Sequence, residues 1–164
     1  MGHPAYMFIE SESGAPIQGS SLVTGREGGI EILQLNHSIN TPHDGNTGRL
    51  MAGRRHVPLS VVKEMDKASP YLFRAACSNE KFKSVTIKWY RTNDAGLEEE
   101  FMNTVLVNAK IVALSPSLHN IKVLDKPSPP TETVALMYES ITWRYLDGNI
   151  QIQTVGRMVG GEIK

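Results

Sequence analysis

Short runs in which apolar and polar residues alternate recur along this 164-residue chain, and they constrain its fold more than any other feature. The clearest run covers residues 84–91, where Val85, Ile87 and Trp89 share one parity. A period of two places successive side chains on opposite faces of a β-strand, with the apolar face towards a core. The alternation therefore predicts β-sheet that is buried on one side.

Turn sequences separate these runs. Residues 93–96 (Asn-Asp-Ala-Gly) and the pair Asp147-Gly148 are typical hairpin turns. Further strand-like runs cover residues 5–10, 29–40, 57–63, 98–115, 133–146 and 149–154. No strand–helix–strand rhythm is visible, which favours antiparallel over parallel pairing.

One short α-helix is predicted, from about Ser69 to about Cys77. Ser69 is a typical N-cap residue and Pro70 suits the first helical position. Cys77, the single cysteine, is interpreted as a small buried apolar residue. Together these patterns predict a mainly β protein, an antiparallel barrel or sandwich. Because barrel closure hides strand edges, we take the fold as an antiparallel β-barrel with one short helix and a long extended loop. We expect one domain over residues 1–164, with a short flexible tail from about residue 155.

Charge and hydropathy narrow the classes of partner. Lys plus Arg and Asp plus Glu each number 17, so the basic excess that attracts nucleic acid is missing. No run approaches the roughly 18 apolar residues of a membrane span. The N-terminal residues do not match a Sec-type signal peptide. We expect no nucleic-acid partner, no membrane insertion and assembly in the cytoplasm.

Catalytic patterns are weak. The five histidines lack the spacing of a zinc site, so neither metal nor cofactor is expected. His43-Asp44 could form part of a Ser-His-Asp set, but no serine lies in a Gly-x-Ser-x-Gly elbow. The pair Asp44-Gly45 is better explained as part of a turn than as part of a catalytic set. The chain is therefore not expected to be an enzyme.

Two segments are suited to contact. The alternation slips by one residue near Ile32 and Leu33, which a β-bulge would explain. After the slip an uncharged polar stripe shares one parity: Gln34, Asn36 and Ser38. Residues 41–56 form a loop far longer than the usual connection of about 4–6 residues. Its candidate contact residues are Pro42, His43, Asp44, Gly48, Arg49 and Arg54.

Several segments in order resemble the haemolysin-coregulated protein (Hcp) family, the tube subunit of bacterial type VI secretion systems. They are residues 4–10 (Pro-Ala-Tyr-Met-Phe-Ile-Glu), 25–32 (Gly-Arg-Glu-Gly-Gly-Ile-Glu-Ile), 62–72 (Val-Lys-Glu-Met-Asp-Lys-Ala-Ser-Pro-Tyr-Leu) and 139–148 (Glu-Ser-Ile-Thr-Trp-Arg-Tyr-Leu-Asp-Gly). The resemblance covers nearly the whole chain.

The resemblance implies a structural subunit that closes into hexameric rings, which stack into a hollow tube expelled by a contracting sheath. It implies effectors bound in the lumen, contacts with sheath and spike proteins, and secretion to the extracellular space or a target cell. On this reading Gln34, Asn36 and Ser38 face the lumen, and the loop residues reach a neighbouring ring.

Two other functions stay open from the residues alone. Aromatic residues inside a barrel could bind a small ligand. A hydrolase that uses His43 is a more distant alternative.

Overall fold

The computed structural model describes residues 2–51, 53–123 and 125–156, and within them the chain forms twelve strands and one helix. Their order is β1 (Ala5–Ser11), β2 (Pro16–Ile17), β3 (Ile30–Ile32), β4 (Gln34–Asn36), β5 (Ile39–Asn40), β6 (Arg55–His56), β7 (Leu59–Glu64), α1 (Ser69–Ser78), β8 (Lys81–Thr92), β9 (Glu98–Ser117), β10 (Thr131–Met137), β11 (Ser140–Tyr145) and β12 (Ile150–Val155). The mainly β class and the single short helix are confirmed.

The main sheet runs in the order β2-β1-β8-β9-β10-β7-β4, and every neighbouring pair is antiparallel. β3 pairs with β1 and β4 pairs with β7. Between them, the Leu33 N–H donates to the Val62 carbonyl at 2.8 Å. The segment from Ile30 to Asn36 thus bridges the two ends of the sheet and produces a barrel-like fold. The slip near Ile32 is a change of partner strand, so the predicted bulge within one ladder is wrong.

β9 belongs to two parts of the sheet. Its residues 110–117 pair with β10, and its residues 102–107 pair with β11, which carries β12. Asn108, at the junction, has a φ of 50° and its side-chain amide donates to the Glu139 carboxylate at 2.6 Å. The predicted strand over residues 133–146 is therefore two strands, interrupted at Tyr138 and Glu139.

Alternate residues of the strands fill the interior, as the period of two predicts. The fully buried set includes Met7, Ile87, Leu106, Val134, Leu136 and Ile141. Leu72 and Ala75 of α1 join this core. Cys77 is exposed, so its predicted burial is wrong. It lies two positions after Ala75, and residues two apart do not share a helix face.

A buried ionic cluster, formed by Lys63, Asp66, Ser69 and Glu132, fixes the start of α1. The ammonium of Lys63 is paired with the Glu132 carboxylate and lies 3.1 Å from the Asp66 carboxylate. The Ser69 hydroxyl donates to Glu132 at 2.7 Å and accepts the Asp66 N–H at 3.0 Å. The N-cap is Ala68, so the prediction of Ser69 as the cap is wrong. Its hydroxyl instead ties α1 to β10.

Gly156, the last described residue, packs against the junction between β10 and β11 at Tyr138 and Glu139. The Gly156 N–H donates to the Glu139 carbonyl at 2.8 Å, and a Cβ at Gly156 would lie 2.7 Å from the Tyr138 ring. Val155 ends β12. The remainder of the predicted tail, residues 157–164, lies outside the described residues.

Candidate functional site

The polar stripe is exposed along one side of the bridging segment. Gln34 and Asn36 in β4 alternate with the half-buried Leu35, and Ser38 is exposed just beyond the strand. The Ser38 carbonyl accepts the Val57 N–H at 3.0 Å, which holds this part of the segment beside the start of β7. The structure thus brings the three stripe residues together on the outside of the barrel wall.

Strand register extends the stripe into a wider surface. Gln34 lies beside Val62, which lies beside Thr133, which lies beside Ser115. The next row begins at Asn36 and continues through β7, β10 and β9 in the same way. We call the two rows the uncharged face: Gln34, Val62, Thr133, Ser115, Asn36, Ser60, Ala135 and Ala113.

The uncharged face is made of small or uncharged side chains, none of which is fully buried. Sequence reasoning found only its β4 residues, because each strand contributes two members and only the register aligns them. The opposite part of the wall differs. There Glu31 lies beside Tyr6, Tyr6 beside Lys88, Lys88 beside Asn103 and Asn103 beside Arg144, so this row carries one negative and two positive charges.

The predicted long loop is a hairpin, which we call the arm (residues 39–56, of which residue 52 lies outside the described residues). β5 and β6 pair at its base, where Ile39 lies opposite His56. Further out, His43 and Leu50 form an isolated bridge. The Met51 N–H also donates to the Pro42 carbonyl at 2.9 Å. Cross-strand bonds therefore run along much of the arm.

Asp44 organises the tip of the arm. Its carboxylate accepts the N–H groups of Asn46 at 2.8 Å and Thr47 at 3.4 Å, and these bonds lower the pKa of Asp44. The Asp44 N–H donates to the Arg49 carbonyl, and the Gly48 N–H donates to the Asp44 carbonyl, both at 2.8 Å. Since the Asp44 carboxylate serves the turn, it does not orient His43 as a catalytic triad would require.

Five of the six predicted contact residues lie together in the outer arm, and two exposed apolar side chains accompany them. Leu50 is 68% exposed and Met51 is 72% exposed. Sequence reasoning missed both, since a pair of apolar residues in a glycine-rich loop has no periodic signature. Exposed apolar side chains on a hairpin are suited to docking against another surface.

Arg54, the sixth predicted residue, lies apart from the others at the base of the arm. Its Nε donates to Nε2 of His56 at 3.2 Å, and its Nη2 donates to the Val155 carbonyl at 2.8 Å. Arg54 therefore ties the arm back to β12.

The hydroxyl of Tyr138 is buried at the base of the arm, between two histidines. Oη of Tyr138 lies 2.7 Å from Nδ1 of His56 and 2.8 Å from Nε2 of His37. Burial raises the pKa of Tyr138 to about 12. Burial also lowers the pKa of His37 and of His56, with smaller contributions from His56 and Arg54 respectively. We call Arg54, His56, Tyr138 and His37 the base network.

An apolar cleft adjoins the base network and opens to solvent. Trp89 and Trp143 line it, and the Trp89 indole N–H donates to the Thr104 hydroxyl at 3.2 Å. The remaining lining residues are Leu35, His37, Leu59, Phe101 and Met102.

Within the described ranges, no group of three or more His, Cys, Asp or Glu residues is arranged to hold a metal ion. The one helix found in those same ranges is too short to cross a membrane.

Comparison with known proteins defines the class. The family described as "Type VI secretion system effector, Hcp" matches residues 6–145. The "Major exported protein" of Pseudomonas aeruginosa is 33% identical over 155 residues, covering 88% of this chain and 90% of that protein. The structure of the Hcp1 protein from E. coli EAEC 042 is 40% identical with a TM-score of 0.85, covering 94% of this chain and 99% of that one. The secreted protein Hcp3 from Pseudomonas aeruginosa is 28% identical with a TM-score of 0.76, covering 96% and 100%.

The barrel-like fold and these matches place the chain among the components of type VI secretion. It belongs to the Hcp family. The resemblance seen in the sequence is confirmed, and with it the role of a structural subunit of this secretion system.

Proposed function

We propose that the chain closes into hexameric rings that stack into a hollow tube, with the uncharged face lining the lumen. The observation that carries this proposal is the continuity of that face over four adjacent strands, β4, β7, β10 and β9. A conduit has to contact cargo without holding it. Small, uncharged side chains provide hydrogen bonds but no fixed charges for ion pairs. The charged row that runs through β1, β8, β9 and β11 lies away from the lumen.

The arm makes the contact between stacked rings. Its hairpin bonds order it before docking, so association loses less conformational entropy than it would with a disordered loop. Leu50 and Met51 supply apolar surface that docking would remove from water. Pro42, His43, Asp44, Gly48 and Arg49 shape the outer arm, and Arg54 anchors it.

The other partners follow from this role. Effectors are carried in the lumen, while sheath and spike proteins contact the outside and the end of the tube. The chain acts as one domain without catalysis, assembles in the cytoplasm and leaves the cell through its own secretion system. The relative described as a major exported protein supports export.

Cysteine accessibility tests the lumen assignment. In a Cys77→Ser background, Ser115→Cys should react with a bulky polyethylene-glycol maleimide in free protomers and be protected in assembled tubes. Lys83→Cys, on an exposed position of β8, is the matched control and should react in both. Equal labelling of Ser115→Cys before and after assembly would contradict a luminal position.

Introducing negative charge at the outer arm tests whether the arm makes the contact between stacked rings. The variant Leu50→Asp with Met51→Asp should keep the hexameric mass in native mass spectrometry and lose long tubes in electron microscopy. Leu118→Asp is the matched control, because Leu118 is also 68% exposed but lies outside the arm. Loss of the ring itself in the arm variant would place the arm at the lateral interface instead.

The apolar cleft favours one second function, binding of a small apolar ligand. Its two tryptophans would report binding through their fluorescence. A saturable emission shift with an apolar probe, abolished by Met102→Arg in the cleft lining, would support this function. Emission that stays unchanged would exclude it.

A further inference from the structure

The positions of the protons in the base network follow from Arg54. A guanidinium can only donate hydrogen bonds. Its Nε–H points at Nε2 of His56 at 3.2 Å, so that nitrogen accepts. In neutral His56 the proton therefore lies on Nδ1, which is 2.7 Å from the Tyr138 hydroxyl oxygen and donates to it.

The Tyr138 hydroxyl proton then has one acceptor left in the network, His37. Because Tyr138 Oη accepts from His56, its own O–H donates to Nε2 of His37 at 2.8 Å. Neutral His37 accepts this bond when its proton is on Nδ1. The chain of bonds runs from Arg54 through His56 and Tyr138 to His37, and each of its three contacts joins one donor to one acceptor.

Adding a proton to either histidine breaks this chain. Protonated His56 would present an Nε2–H to the Nε–H of Arg54, so two donors and two positive charges would face each other. Protonated His37 would donate to Tyr138 Oη and leave the tyrosine proton without its acceptor. Tyr138 is 0% exposed, so water does not readily replace the lost bond.

The surroundings offer little compensation for an added charge. His37 lies against the rings of Tyr138 and Trp143, and His56 lies against Tyr138 and Arg54. Each histidine also faces the other across the shared hydroxyl. In the part of the chain that the structure describes, neither forms an ion pair with a carboxylate.

The base network and the bond from Arg54 to the Val155 carbonyl join four parts of the chain. Arg54 and His56 belong to the arm, His37 precedes it, and Tyr138 and Val155 belong to the β10–β11 junction and the end of β12. We propose that the base network is a protonation-sensitive latch, which holds the arm on the barrel at neutral pH and releases it in mild acid. The latch is a property of one protomer, so it stands or falls separately from ring and tube formation.

Amide hydrogen exchange of the wild-type protomer tests the latch. The Val57 N–H, bonded to the Ser38 carbonyl, and the Met51 N–H, bonded to the Pro42 carbonyl, report on the arm. Between about pH 7.5 and about pH 5.5, both should become at least about tenfold less protected relative to their intrinsic rates. The Asn93 N–H, bonded to Leu97 in the β8–β9 turn, should keep its protection.

Imidazole NMR titrations in the same samples identify the group responsible. The midpoint of the change at the arm amides should coincide with the titration of His37 or His56. Arm amides that keep their protection while both imidazoles titrate would overturn the proposal, as would a midpoint that follows His43. This measurement needs no variant, so it does not depend on a substituted chain folding.

Variants give a second test. The double change His37→Gln with His56→Gln removes both titrating groups and should make arm exchange independent of pH over this range. His119→Gln, at an exposed histidine outside the network, should keep the wild-type pH profile. A double variant that still loses arm protection in acid would also overturn the latch.

Discussion

The ionic cluster and the base network are two buried polar groups that do the same structural job with different chemistry. The ionic cluster ties α1 to β7 and β10 through Lys63 and Glu132, both 0% exposed. The base network ties the arm to the β10–β11 junction through neutral imidazoles and one hydroxyl. The ionic cluster connects its elements through opposite charges, and the base network does so through hydrogen bonds between neutral groups.

This difference gives the two elements different conditions for staying attached. Opposite charges hold α1, whereas imidazoles, whose charge changes between about pH 5 and pH 8, hold the arm. Attachment of the arm should therefore depend on the protonation of these imidazoles. The element that belongs to the core is anchored by an ion pair, and the element proposed to dock is anchored by groups that can gain a proton.

The largest expected effect comes from breaking the ionic cluster. Glu132→Gln leaves the Lys63 charge buried beside only the partly exposed Asp66, and should cost about 3–5 kcal/mol of unfolding free energy. Urea denaturation measures the loss. The control is Glu10→Gln, an exposed carboxylate at the end of β1, which should change stability by less than about 0.5 kcal/mol.

Removing both charges tests whether the loss comes from the unpaired ion. Lys63→Met combined with Glu132→Leu should recover most of the stability lost in Glu132→Gln, because apolar pairs of similar volume often replace buried ion pairs without loss. A double variant as unstable as Glu132→Gln would show that packing around α1, and not the unpaired charge, explains the effect.

Breaking the base network should lower the free energy of unfolding by less than breaking the ionic cluster does. Tyr138→Phe keeps the ring and removes the hydroxyl, which leaves His56 Nδ1 without its acceptor and His37 Nε2 without its donor. A loss of about 1–3 kcal/mol is expected in urea denaturation. A loss as large as that of Glu132→Gln would erase the distinction between the two clusters.

A smaller effect is expected from pH, which should change the free energy of unfolding gradually. Folding lowers the pKa of His37 and of His56 below the ordinary value of 6.5. The unfolded chain therefore binds more protons as pH falls through 6.5, and the stability that is full above this value declines below it. Urea titrations at several pH values measure the slope, which His37→Gln with His56→Gln should reduce. An unchanged slope would assign the acid sensitivity to other groups.

The smallest effect is expected at the tip of the arm. His43 is exposed and lies outside the base network, so His43→Gln should change the unfolding free energy by less than about 0.5 kcal/mol. A thermal melt beside the wild type would measure this. A loss comparable to that of Tyr138→Phe would mean that the outer arm contributes to folding stability.

Local patterns predicted much of the fold. The alternation over residues 84–91, the Asp147-Gly148 turn and the helix from Ser69 all depend on neighbours in sequence, and each appears where it was predicted. The stripe residues Gln34, Asn36 and Ser38 are exposed, opposite the half-buried Leu35, and their position at a lumen stays a prediction. Cys77 was misread from its sequence neighbours Ala75 and Ala76, although its spacing of two from the buried Ala75 places it on another face of the helix.

The two buried clusters could not be predicted in the same way. Tyr138 meets His37 across 101 residues and His56 across 82 residues. Lys63 meets Glu132 across 69 residues. Nothing in the spacing of a lone tyrosine or glutamate marks such a partner. The register of β7, β10 and β9 aligns the uncharged face for the same reason, and only the folded sheet reveals it.

The order of pairing in the sheet has a consequence for synthesis. β1 is translated early, but its long partner β8 ends at Thr92, so at about 5–20 residues per second β1 waits several seconds for that partner. During this interval Tyr6, Met7 and Ile9, all buried in the finished barrel, are exposed on the growing chain. The β8–β9 hairpin, by contrast, can form as soon as its own turn has left the ribosome. Nascent chains of this protein should therefore expose these apolar side chains to chaperones at least until residue 92 has emerged.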